Sequence, residues 1–202
     1  MRIPQLLARR AVAALPLAVV LACASGCLTA DGTLERDGTG TLTIGYKAPA
    51  GATEASLREL LTAPGVSVES LTLGTDRMVS AKLKVTDLAG IAKTRLLKAA
   101  TVAKSSQGED EILTITYTNP PGPSVVDKSL PGPSIKVTLP GPVAEANEKA
   151  VVNGSTVTWS FSLTTWVERP KWELTARYRP AAAPSGGARE APPATGAPTG
   201  AP

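Results

Sequence analysis

Asn153-Gly154-Ser155-Thr156-Val157-Thr158-Trp159-Ser160-Phe161-Ser162-Leu163 is the stretch whose reading decides the fold. Val157, Trp159, Phe161 and Leu163 alternate with Thr156, Thr158, Ser160 and Ser162. That two-residue period gives a strand one apolar and one hydroxyl-bearing face. Asn-Gly ahead of it suits a tight type I′ turn, which pairs the strand with Val151-Val152 or the segment before. A half-apolar strand entered by a tight turn belongs to an antiparallel sheet with one solvated face.

Downstream, Thr164-Thr165-Trp166-Val167-Glu168 reads as a turn. A last strand, Trp172 to Tyr178, then sets Trp172, Leu174, Ala176 and Tyr178 on one face. Upstream, Ile135 to Leu139 is a strand. Before it, residues 119–133 contain five prolines and read as a long rigid loop, because proline cannot donate to a sheet. Thr33–Glu35 and Thr39–Tyr46 read as a hairpin about Asp37-Gly38, with Leu42, Ile44 and Tyr46 facing one way. Val66–Leu73 pairs with Met78–Val85 across Gly74-Thr75-Asp76, and Thr101–Lys104 with Ile112–Tyr117 across residues 107–110. Two segments have helical spacing. In Ala52–Thr62, Ser56 and Glu59 stand at capping-box spacing ahead of a Leu57, Leu60, Leu61 stripe. In Leu88–Lys98, capped by Asp87, Leu88, Ile91, Ala92 and Leu96 share a face. The expected architecture is α+β: a mainly antiparallel, curved sheet of six to eight strands with two short helices packed on one face.

The ends are organised differently. Met1 to Arg10 is a short basic segment, Ala11 to Ala22 is uncharged, and Ala24-Ser25-Gly26-Cys27 resembles a bacterial lipobox. About 12 apolar residues span too little helix for a bilayer core, so residues 1–26 read as a lipoprotein signal peptide with Cys27 as the lipidated residue. Cys23 is the less suitable candidate, because Leu21 occupies a position that favours a small residue. Residues 180–202 hold 18 Ala, Pro or Gly among 23 and read as a disordered tail, which leaves one domain over 27–179.

Composition excludes several function classes. The chain has no histidine, so His-based acid–base catalysis and His-ligated metals are excluded. Beyond Cys27 there is no thiol. Removing Arg2, Arg9 and Arg10 with the signal peptide leaves 21 − 3 = 18 basic residues against 17 acidic ones, a balance that gives no reason to expect nucleic acid. Glu109-Asp110-Glu111 lacks calcium-loop spacing and reads as a solvated turn. No nucleophile elbow or phosphate loop is present. No enzyme, cofactor or metal is therefore expected. Trp166, beside Arg169 and Lys171, suits a membrane interface or an amphipathic ligand, or else packs over a sheet edge. Trp159 and Phe161 read as core residues.

Leu139-Pro140-Gly141-Pro142-Val143-Ala144-Glu145-Ala146-Asn147, followed after five residues by Asn153-Gly154-Ser155-Thr156-Val157-Thr158-Trp159, resembles the LppM-type domain of actinobacterial envelope lipoproteins. The resemblance implies an extracytoplasmic domain associated with envelope lipids or glycolipids, and no catalytic residues. The expected function is lipid or amphipathic-ligand binding by a membrane-anchored lipoprotein. Trp159, Phe161 and Leu163 would lie near the groove floor, with Trp166 as a further ligand contact. The alternative is a structural or assembly lipoprotein acting through protein contacts.

Overall fold

The computed structural model describes residues 28–119 and 131–181; the expected signal peptide, Cys27 and the tail beyond Ala181 lie outside the described residues. Most of the described chain is strand. β1 (Thr29–Leu34) and β2 (Gly40–Lys47) form the predicted hairpin, Asp37 closing its turn through Thr39 N and Oγ1. α1 (Glu54–Leu61) leads to β3 (Val66–Leu73) and β4 (Met78–Val85), and a 3-10 helix over Leu88–Lys93 leads to β5 (Ala100–Gln107) and β6 (Asp110–Thr118). β7 (Pro131–Thr138), β8 (Val143–Ala146), β9 (Val151–Asn153), β10 (Thr156–Ser162), α2 (Leu163–Glu168) and β11 (Lys171–Tyr178) complete the order.

In place of the single sheet expected, the strands divide into one of seven, β3-β4-β2-β1-β7-β10-β9, and one of four, β5-β6-β11-β8. The larger sheet is mixed, because β1 and β7 run parallel through Thr29↔Ser134 to Thr33↔Thr138. Its inner face is covered in two halves. Over β2, β3 and β4 lie α1 and the 3-10 helix, burying Ile44, Tyr46, Leu57, Leu61, Leu83 and Ile91. Over β1, β7 and β10 lies the four-stranded sheet, burying Val157 and Trp159 against Leu113, Trp172, Leu174 and Tyr178.

Local chemistry explains where the expected elements moved. α1 is capped three residues earlier than the sequence suggests. Thr53 Oγ1 accepts from Ser56 N at 3.2 Å, and Ser56 Oγ accepts from Thr53 N at 3.0 Å. The second helix stops at Lys93 because Thr94 hydrogen-bonds locally. Its buried hydroxyl donates to Ile91 O at 2.9 Å and accepts from Leu97 N at 3.1 Å, competing with the backbone ladder. The stretch read as a turn after β10 is α2, whose N-cap Ser162 accepts from Thr165 N. Pro131 and Pro133 stand inside β7, contrary to the loop reading. Pairing with β1 begins only at Ser134, and opposite the prolines β10 carries an irregularity between Ser160 and Ser162.

Two buried phenols make stability pH-dependent. Tyr46 Oη has no hydrogen-bond partner among the described residues, and burial pushes its phenol up to about 12. Tyr178 is raised by burial and by its 2.6 Å hydrogen bond to Glu111. Unfolded tyrosine ionises near 10, so this stability is complete below pH 10. For Tyr46 it is lost as the pH rises from about 10 through about 12, at up to about 1.4 kcal/mol per pH unit. Tyr46→Phe removes an orphaned hydroxyl, so thermal melts at pH 7 are expected to move upward by the equivalent of about 1 kcal/mol, with a shallower alkaline decline.

Candidate functional site

Where the two covers meet over the middle of the large sheet, they leave a cavity of about 140 Å³. Its floor is the inner face of the first hairpin and β7: Ala30, Gly32 and Leu34 on β1, Gly40, Leu42 and Ile44 on β2, Ile135 and Val137 on β7. One wall is Leu88, Ile91 and Leu97, in and after the 3-10 helix. The other is Ala100 and Val102 on β5 with Leu113, Ile115 and Tyr117 on β6, and Trp166 joins from α2. Thr33, Thr41 and Lys136 also border it, but strand alternation sends their side chains to the opposite face. The accessible surface is therefore almost entirely hydrocarbon.

The space exists because the floor is built from small residues. A Cβ on Gly32 would meet Thr41 O at 3.6 Å, Leu42 Cδ1 at 3.8 Å and Lys136 O at 4.0 Å, ordinary contacts that leave room above them. Gly40 differs, since a Cβ there would collide with the Thr33 carbonyl. Leu28, Ala30, Leu42, Leu97, Val102, Ile115 and Ile135 are only partly buried although each faces the cavity. Cavities of about 150 Å³ with aliphatic walls take apolar guests in preference to water. With no charged side chain directed inward, this one is suited to a hydrocarbon tail and offers nothing for acid–base or nucleophilic chemistry.

The structure separates the residues picked from sequence. Trp166 lines the cavity, 3% exposed and stacked on Trp172 with centroids 5.1 Å apart and planes 7° apart. Its burial fits the packed alternative of the sequence reading and not a membrane-interface side chain. Trp159, Phe161 and Leu163 do not border the cavity. Trp159 is fully buried, donating Nε1–H to Asn147 O at 3.0 Å, and Phe161 packs 4.5 Å from Trp172. They belong to the core between the sheets because β10 lies beyond β7, to one side of the floor. Cys27 falls outside the described residues, one position before the cavity residue Leu28. The residues that sequence reading missed are the small ones on inward positions of β1 and β2, Ala30, Gly32 and Gly40, a run of missing side chains on a face otherwise marked by leucine and isoleucine.

Fold and site together define a two-sheet, strand-dominated domain around an apolar cavity. No protein-family model matches the chain, and no curated protein matches it. Among solved structures, the NMR structure of the folded domain of Mycobacterium tuberculosis LppM is similar over 76% of this chain and 88% of that one, at 16% identity and a TM-score of 0.46.

Proposed function

We propose that the protein is a bacterial envelope lipoprotein, anchored in the membrane by acylation at Cys27, whose extracytoplasmic domain holds the apolar tail of a lipid or glycolipid without catalysing a reaction. The observation that carries this reading is the hydrocarbon-lined cavity between the two covers of the large sheet. The lipobox-like Ala24-Ser25-Gly26-Cys27 supports the anchor. Among the described residues no helix is long and apolar enough to cross a membrane.

Trp166 supplies the test. Bromine atoms on a bound acyl chain would lie against its ring, so dibromostearate is expected to quench tryptophan emission saturably, with most of that quenching absent in Trp166→Phe. Unsaturable quenching, indifferent to Trp166, would sink the reading. A second reading, an assembly lipoprotein acting through protein contacts, is favoured by the edge strand β9, whose Val151 and Val152 are 69% and 42% exposed.

A further inference from the structure

The floor strand of the cavity begins at Thr29, and strand registers place other segments at the same end of the domain. Thr29↔Gly45 and Lys47↔Met78 bring Lys47, Arg77 and Met78 there. β7 starts its pairing beside Thr29 at Ser134, and β10 ends there at Ser160–Ser162, so α2 and the start of β11 follow at this end. Lys171↔Thr118 and Ala100↔Tyr117 then add Lys98.

This end differs in character from the opposite one. Lys47, Arg77 and Lys98 are exposed and make no ion pair among the described residues, while Arg169 and Lys171 are matched by Glu148 and Glu173. Asp76, Glu168 and, at the start of α1 just after β2, Glu54 are further acids here among the described residues. Met78 and Val167, both large apolar side chains more than a third exposed, flank these cations. At the far end Lys104, Arg177 and Arg179 are paired with Glu109, Asp110, Glu111 or Glu145. Arg36 and Lys84 are exposed there without an ion pair among the described residues, but no large apolar side chain like Met78 or Val167 stands exposed beside them. The cavity has the same polarity. Leu34, Val85 and Leu113 are buried and close its far end, where Leu88 alone of these wall residues is partly exposed. Leu28, Leu97, Ala100 and Ile135 are partly exposed at the near end, beside the buried Tyr117 and Trp166.

We propose that this end is a membrane-docking surface for an anionic bilayer. Lys47, Arg77 and Lys98 lie among the headgroup phosphates, Met78 and Val167 reach the acyl boundary, and the cavity opens towards the bilayer. An apolar tail then passes from membrane to cavity without crossing water. Each cation near an anionic surface adds about fivefold to affinity. Only the cavity's part in this rests on the tail-binding reading; the docking stands on charge and exposure.

No cysteine follows Cys27, so single nitroxides are readily introduced at Met78→Cys, Val167→Cys and Glu109→Cys in the processed full chain, with the parent chain as labelling control. On phosphatidylglycerol vesicles, the labels at 78 and 167 are expected to collide with lipid-dissolved oxygen at least threefold more than with an aqueous nickel chelate. The label at 109 reverses that preference. The combined Lys47→Glu, Arg77→Glu, Lys98→Glu change moves the first two labels into water. Aqueous readings at 78 and 167 in the otherwise unaltered chain, or a lipid reading at 109, overturn the proposal. Gly32→Leu leaves all three labels unchanged, so a failure of docking and a failure of tail uptake appear in different measurements.

Discussion

Gly32→Leu is expected to weaken uptake of dibromostearate at least tenfold while raising the melting temperature. The position faces the cavity midway along its floor, between Ala30 and Leu34. Its φ lies outside the left-handed region, and an added Cβ meets neighbours only at ordinary contact distance, so the backbone accepts a larger residue. The leucine side chain then occupies the volume a hydrocarbon tail would use, and a tenfold loss corresponds to about 1.4 kcal/mol. Stability moves the other way. Replacing glycine in a strand gains about 0.5–1 kcal/mol, and burying a leucine adds about 1.5–3 kcal/mol before packing strain is subtracted. A net gain of about 1–2 kcal/mol raises the melting temperature of a domain of this size by about 3–6 °C. Gly40→Leu is the contrasting substitution. The nearby Thr33 carbonyl leaves no room, so that chain is expected to lose stability. If Gly32→Leu became more stable yet took up the probe unchanged, the tail would lie elsewhere and this cavity would be a packing defect.

How far the sequence disclosed this arrangement depended on the range of each interaction. The hairpins were legible because their information is local. Asp37-Gly38, Gly74-Thr75-Asp76 and Asn153-Gly154 each sit in the short turn between the two strands they join. The division into two sheets was not. It depends on Thr29 to Thr33 finding Ser134 to Thr138 about a hundred residues away, and on β11 pairing with β6 and β8 instead of following β10 into the large sheet. No period in either segment specifies its partner. The segment carrying Trp166 was misread as a turn for a related reason. Thr164-Thr165 lowers helix propensity, and only the Ser162 cap and the core beneath make the segment helical. The cavity was the least legible feature, since pattern reading follows large apolar residues. It rewards Trp159 and Phe161, which fill their own space, and passes over Ala30 and Gly32, which leave it empty.

Trp172→Ala is expected to cost about 4 kcal/mol, the largest loss among the substitutions considered, within the range of about 3–5 kcal/mol for deleting a buried tryptophan. Trp172 is 1% exposed at the point where α2 carries the chain from one sheet to the other. Its ring is stacked on Trp166, lies 4.5 Å from Phe161 and carries the Arg169 guanidinium 4.4 Å above its centroid. Its Nε1–H donates to Trp166 O at 2.9 Å, and that carbonyl also accepts from Asn119 Nδ2 at 2.7 Å. The alanine therefore leaves a cavity in the aromatic cluster without fully orphaning the carbonyl, so volume dominates the cost. With a urea slope of about 2 kcal/mol/M, the unfolding midpoint falls by about 2 M. Trp172→Phe keeps a ring against Trp166 and is expected to lose about half as much. The same change reaches the site, because Trp166 is held between Trp172 and the cavity it lines. A loosened Trp166 rotates towards the space left by the indole, so dibromostearate quenching should weaken in Trp172→Ala even under conditions where the chain stays folded. Quenching that survived intact in the folded variant would show that Tyr117 and Phe161 position Trp166 without Trp172, and that the Trp172 indole serves stability without shaping the cavity.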